Sequence, residues 1–255
     1  MSKIIGAMLV HFDPESFLDN LYGGLYPALA SLKEATSGIV ILDDCSNSSL
    51  LTDRCKLFKP LRFESLPEPT FMKNEPKARA RLWEMAAAEA GMGNWILCLD
   101  SDEVIARRDQ GRFNHRLRQL DEQLAVWDRR NREESGELSS YAALQLFDMW
   151  DSCHYREDQY WNAHTRDWPL MVRYLGQPNV WPDRPVHCGR FPQGAIGKNG
   201  IQLNVRVQHW GWDSEARRQQ KYERYKVQDP DAKYGIKEQY ESILDPHPNL
   251  VRWRD

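Results

Sequence analysis

A chain of 255 residues is long enough to build a substantial core, and a net charge of −3 offers no global attraction for nucleic acid. Five cysteines (Cys45, Cys55, Cys98, Cys153 and Cys188) are odd in number and never form a Cys-x-x-Cys pair. This argues against a disulfide framework or a zinc knuckle and fits a reducing compartment. The apolar N-terminal run has only strand length and no signal-peptide cleavage region, and no segment approaches the roughly 18 residues of a membrane span, so a soluble, cytoplasmic protein is expected.

Ile4–Val10 reads as a buried strand, followed by a loop at His11-Phe12-Asp13-Pro14. The segment 17–36 has a helical pattern that Gly23-Gly24 and Pro27 are expected to interrupt. Ile39–Leu42 is a second strand running into Asp43-Asp44. A Ser/Asn-rich turn then leads to a short helix over 50–58 and a strand over 61–66. Pro76 suits the first turn of a helix that carries Ala78, Leu82, Met85 and Ala86 at helical spacing and stops at Gly91. Trp95–Leu99 is the fourth strand. This alternation predicts a mostly parallel sheet with helices on both faces. Farther on, 113–130 reads as a charged surface helix and 141–149 as a strand. A loop-rich aromatic stretch extends to about residue 200, where Trp150, Trp161, Trp168 and Trp181 are core residues by default and stacking faces for sugars at best. Val205–His209 is expected as a last strand, Ser214–Val227 as a basic helix, and the Pro-rich tail as partly irregular.

Two apolar strands end in carboxylates: Asp43-Asp44, and Asp100-Ser101-Asp102 followed by Glu103. Crowded carboxylates repel one another and are costly to bury without a cation, and a divalent metal held by oxygen ligands is the natural one. In a parallel sheet both strand ends lie along one edge, where open α/β sheets bind their ligands. Asp100-Ser101-Asp102-Glu103-Val104 also fits the opening motif of a haloacid dehalogenase-type phosphatase. The order of the acidic pairs and the position of the motif in the chain argue against that reading.

The series Ile41-Leu42-Asp43-Asp44-Cys45-Ser46, Lys77-Ala78-Arg79-Ala80-Arg81 and Leu99-Asp100-Ser101-Asp102-Glu103 resembles family 2 glycosyltransferases of the GT-A fold. Val207-Gln208-His209-Trp210-Gly211-Trp212, Arg217, Lys221-Tyr222-Glu223-Arg224-Tyr225 and Asp229-Pro230 are similar to the C-terminal part of bacterial and phage members. The resemblance implies a GT-A-like domain over 1–255: a nucleotide-sugar half (1–110), an acceptor-side region (111–204), and a metal-ligand strand with a C-terminal helix and tail (205–255). It further implies transfer of a sugar, with inversion, from a nucleoside-diphosphate sugar to a hydroxyl-bearing acceptor such as a glycan, a UDP-sugar being the favoured donor. Sugar-phosphate nucleotidyl transfer and a non-catalytic sugar- or nucleotide-binding module are the alternatives.

By the same resemblance, Val10, His11, Asp43, Asp44, Arg81, Asp100 and Ser101 belong to the nucleotide-sugar site, and Asp102 with His209 would hold Mn²⁺ or Mg²⁺. Arg217 and Lys221 would cover the phosphates. Asp158, and after it Asp151, are the candidates for the general base; each competes with a turn-capping role. Cys45 stands where many relatives carry glycine, so a positive φ there would strain it. His187-Cys188-Gly189 lacks companion metal ligands and reads as structural.

Overall fold

The computed structural model describes residues 2–11, 24–46, 48–113, 115–117, 119, 122, 141–197 and 200–254. Its centre is an eight-stranded sheet in the order β3-β2-β1-β4-β8-β6-β9-β5. Four strands form the parallel half expected from the sequence: β1 (Ile4–Val10), β2 (Gly38–Asp43), β3 (Arg62–Ser65) and β4 (Trp95–Cys98).

The physical reason is visible in the burial. Every residue of β1, β2 and β4 is buried, as a strand covered on both faces must be. Alternate residues serve opposite faces. Met8, Val10, Ile39, Ile41 and Leu97 pack with Leu29 and Leu32 of helix α1 (Tyr26–Ala35). Ile5, Ala7, Leu9, Val40, Leu42 and Ile96 pack with Ala78, Leu82, Met85 and Ala86 of helix α3 (Glu75–Ala90) on the other side. Each large aliphatic side chain so buried contributes roughly 1.5–3 kcal/mol.

Local signals set the helix ends. The Asn74 side chain accepts from the Lys77 amide, Pro76 sits in the first turn, and Gly91 at φ 73° ends α3. Pro27 opens α1 rather than breaking it, because its missing N–H costs nothing in a first turn. The part of the expected helix before residue 24 lies outside the described residues. So does most of the expected helix over 113–130. Ser48 caps the short α2 (Ser49–Leu57) through the Leu51 amide.

The sheet is mostly parallel, as expected, and its second half adds antiparallel pairs. Strands β5 (Glu103–Ile105), β6 (Tyr141–Asp148), β8 (Trp168–Arg173) and β9 (Gly200–His209) mix directions, β6 with β9 being the parallel pair. β8 crosses the stretch read as loop, and β5 follows the acidic motif with no break long enough to flag it. Strand β9 is longer than expected. A small sheet pairs β7 (His154–Arg156) with β10 (Leu250–Arg252) from the tail. Helix α4 (Glu215–Gln228), N-capped by Ser214, matches the expected basic helix and leads to the short α5 (Lys237–Glu241). Among the described residues no helix is long and apolar enough to cross a membrane.

Candidate active site

Strand order brings the two acidic motifs to one edge. β2 and β4 both lie parallel to β1 on either side of it, so Asp43-Asp44, Val10-His11 and Asp100–Asp102 line the same carboxyl-terminal edge.

The Asp43-Asp44 turn is built largely from its own hydrogen bonds. Asp43 Oδ1 accepts from the amide of Ser46 at 3.1 Å and from its hydroxyl, and Oδ2 accepts from Ser65 Oγ at 3.0 Å. Asp44 is fully buried and accepts from the amides of Thr70 (2.7 Å) and Phe71 (3.0 and 3.1 Å). His11 Nδ1 lies 2.9 Å from the Asp44 carbonyl oxygen. Cys45 has φ 58°, the left-handed conformation, which costs a side-chain-bearing residue roughly 1–2 kcal/mol.

At the end of β4 the carboxylates are divided between two cationic environments. Asp100 meets Arg79 Nη1 at 2.8 Å and Arg190 Nη1 at 3.2 Å. Burial alone would raise its pKa, but Arg190 and Arg79 overcome that and hold it at about 2. Glu103, fully buried, receives a bidentate pair of hydrogen bonds from Arg190 at 2.6 and 2.7 Å. Burial, reinforced by the nearby Asp100, nevertheless pushes the Glu103 pKa up.

Asp102 faces the other way. Its Oδ2 lies 3.5 Å from His209 Nε2 and 3.4 Å from Lys221 Nζ. Burial opposes its ionisation, yet these two neighbours hold it well below the ordinary carboxylate range. His209 is backed by Asp148, whose Oδ1 is 2.8 Å from Nδ1. Burial disfavours its imidazolium, but the Asp102 carboxylate more than offsets this and raises the pKa to about 10.

Register produces the arrangement. His209 at the end of β9 pairs with Asp148 on β6 and with Glu103 on β5, and the Trp210 amide donates to the Asp102 carbonyl at 2.7 Å. Gly211 completes it. A Cβ built there would lie 2.5 Å from Asp102 Oδ2, 2.7 Å from His209 Nε2 and 2.0 Å from Lys221 Nζ. The absent side chain therefore keeps open a small space bounded by a carboxylate oxygen, an imidazole nitrogen and an ammonium group.

These residues fit a divalent cation. Asp102 offers a hard oxygen, and His209 Nε2 is aimed by a carboxylate on its far nitrogen, the usual support of a metal-binding histidine. Lys221 already neutralises Asp102 from this side.

Other expected site residues lie elsewhere. Arg81 is paired with Glu64 (2.6 Å twice) and Glu84 (2.9 Å) at the surface. Arg79 is the arginine at the acidic motif, because two residues along a helix turn a side chain by about 200°. Arg79 shares its face of α3 with the buried Leu82, Trp83, Ala86 and Ala90, a phase visible in the sequence. Arg217 Nη1 binds the Trp210 carbonyl and Asp213, both at 3.0 Å, and so pins the turn after His209 to α4.

Asp158 and Asp151 have the turn-capping roles that competed with catalysis. Asp158 accepts from the amides of Tyr160 and Trp161 and from Arg156 Nε at 2.7 Å. Asp151 accepts from the amides of Cys153 and His154, both at 2.8 Å, and from the His154 ring. Asp151, Cys153 and His154 form a surface cluster whose ligand atoms lie within 4.8 Å of one another. Trp150 and Trp161 are buried in an edge-to-face chain that continues to Trp212 and His209, so they build the floor of the site and are not open sugar platforms.

Arg190 has no role that the sequence suggests, and Glu103 and Asp148 stand there only as members of carboxylate-bearing stretches, with no role of their own. Asp148 carries the same signal as Asp43 and Asp100, a carboxylate ending a largely apolar strand. Arg190 sits in an irregular loop with no local signal.

No protein-family model matches the chain, and no curated protein matches it. Among solved structures, the chain is similar to S. aureus TarS 1-349 in complex with UDP, with a TM-score of 0.45, 14% identity, and coverage of 95% of this chain and 69% of that one. It is also similar to GalNAc-T7 with UDP, GalNAc and Mn2+, at a TM-score of 0.29 and 19% identity over 41% of this chain and 18% of that one.

Proposed function

We propose that the chain is a metal-dependent glycosyltransferase that moves a sugar, with inversion, from a nucleoside-diphosphate sugar, a UDP-sugar being favoured, to a hydroxyl-bearing acceptor. The observation that carries this reading is the Asp102–His209–Asp148 arrangement around the space that Gly211 leaves open. The motif series shared with family 2 enzymes supports it. In this reading residues 1–110 hold the donor, 111–204 face the acceptor, and 205–255 close the site.

Asp102 and His209 would hold Mn²⁺ or Mg²⁺, and the ion would supply Lewis-acid stabilisation of a departing diphosphate. Asp148 keeps His209 Nδ1 protonated and Nε2 available. Lys221 is the nearest mobile cation for the phosphates. Val10, His11, Asp43 and Asp44 lie at a strand edge and would contact the base and ribose, and Ser101 with Asp100 would continue that wall. The Arg79–Asp100–Arg190–Glu103 network holds the motif rigid.

The test is calorimetric titration of UDP in the presence of Mn²⁺. Binding is expected in the parent protein and lost in Asp102→Asn. Equal affinity in both proteins refutes the metal assignment. Slow Mn²⁺-dependent hydrolysis of UDP-glucose or UDP-N-acetylglucosamine would identify the donor.

A further inference from the structure

We infer that His187 is the proton acceptor of the transfer step, with Nδ1 as the basic atom; this rests on the glycosyltransferase reading above. The segment around His187 is fastened to the acidic site at both ends. The Glu75 amide donates to the Pro185 carbonyl at 3.0 Å, and the Cys188 amide donates to Glu75 Oε2 at 3.4 Å. Three residues on, Arg190 holds Asp100 and Glu103. Between these anchors His187 has φ 56°, a strained conformation for a histidine and of the kind that recurs where a side chain must be aimed.

Its ring is held by aromatic neighbours. It stacks on Tyr225 (5.6 Å between centroids) and Tyr240 (6.2 Å). Tyr225 lies one turn beyond Lys221 on α4, and Lys221 reaches Asp102, so one helix links the ring that His187 stacks on to the Asp102 side of the site.

The hydrogen bonds set the tautomer. Tyr240 Oη has one proton and donates it to Asp229 Oδ2 at 3.1 Å, since a carboxylate can only accept. The 2.6 Å contact between Tyr240 Oη and His187 Nε2 must then have Nε2–H as the donor. Nδ1 is left with the lone pair. It has no hydrogen-bond partner among the described residues and is not sealed from solvent. Aspartate, tyrosine and histidine thus form a relay that presents a basic nitrogen.

The charged groups around the ring are Glu75 on α3, Arg224 on α4, and Asp229 and Arg184 on the flanking loops. Burial dominates them and lowers the His187 pKa, so the ring is neutral and able to accept a proton at neutral pH. In the transfer, the acceptor oxygen bonds to the anomeric carbon as the bond from that carbon to the diphosphate oxygen breaks. The diphosphate leaves with the electron pair, and the acceptor proton passes to His187 Nδ1.

The probe is Mn²⁺-dependent hydrolysis of a UDP-sugar, with water as the acceptor. Two variants tolerate the positive φ, His187→Asn and His187→Gly. Both are expected to bind UDP and Mn²⁺ like the parent while turnover falls about 100- to 10,000-fold. The parent's rate is expected to drop as pH falls through the His187 pKa, which burial places below the ordinary histidine value, a limb absent from the variants. Added imidazole should restore part of the turnover in His187→Gly, where it can take the place of the missing ring beside the stacked Tyr225–Tyr240 pair. Parent-like hydrolysis in His187→Asn, or an unchanged acid limb, overturns the assignment of His187 alone. Failure of the parent to bind UDP with Mn²⁺ overturns the glycosyltransferase reading itself.

Discussion

Gly211→Ala is the most direct probe of the candidate metal pocket, because it adds one carbon at a known place. The new Cβ would lie 2.5 Å from Asp102 Oδ2 and 2.7 Å from His209 Nε2, against about 3.5 Å for relaxed contact, so both groups must retreat by close to an ångström. Lys221 Nζ, at 2.0 Å, ends a flexible chain and can swing away with little penalty. Neither of the other two has that freedom. Asp148 anchors His209 at 2.8 Å, and the Trp210 amide holds the Asp102 backbone at 2.7 Å. The methyl also occupies the space the cation needs. Removing a group that merely orients a ligand weakens metal affinity by about 10- to 100-fold. Filling the space itself should reach the upper end, about 100-fold or ~2.7 kcal/mol. Paired titrations of UDP with and without Mn²⁺ measure this, and the metal-free melting temperature reports whether the fold survives. If Gly211→Ala binds UDP with Mn²⁺ as tightly as the parent, the pocket has been misassigned.

Asp148→Ala should weaken Mn²⁺-dependent UDP binding about 10- to 100-fold, since it frees the His209 ring without touching Asp102; the same titration checks it. In the metal-free protein His209, raised to about 10, contributes stability that is fully present below pH 6.5 and lost as pH rises through about 10. His209→Gln should therefore flatten the stability profile over that window, as read by denaturant unfolding at a series of pH values. Arg190→Met strands the buried Glu103 without its partner and should cost about 3–5 kcal/mol, whereas Arg81→Met removes surface pairs worth about 1 kcal/mol; urea unfolding of the two variants separates the assignments.

Much of the parallel half was legible in the chain because its signals are local. Apolar runs bounded by turn residues, Pro76 in a first turn and Gly91 at a stop all act within a few residues of where they appear. The acidic strand ends were legible for the same reason. Their convergence follows from the rule that parallel strands share an edge. The mixed half was harder to read, since β8 and β5 owe their existence to long-range pairing more than to their own patterns. β8 is a six-residue strand begun inside an aromatic stretch, and β5 has three residues.

The residue types of the candidate site were thus set by sequence: carboxylates at the ends of buried strands need a cation, and His209 ends a further, half-buried strand. Their partners were decided only by tertiary structure. Asp148 lies beside His209 because β6 and β9 run parallel and their register shifts after Ala143, and Arg190 reaches Glu103 from 87 residues away. Helical phase chose Arg79 over Arg81, and turn geometry committed Asp151 and Asp158 to capping. The Tyr240–Asp229 pair that orients His187 is likewise invisible to any local pattern. A hydrogen bond is decided by angles and distances of a few tenths of an ångström, and those exist only once separate strands and loops have packed together.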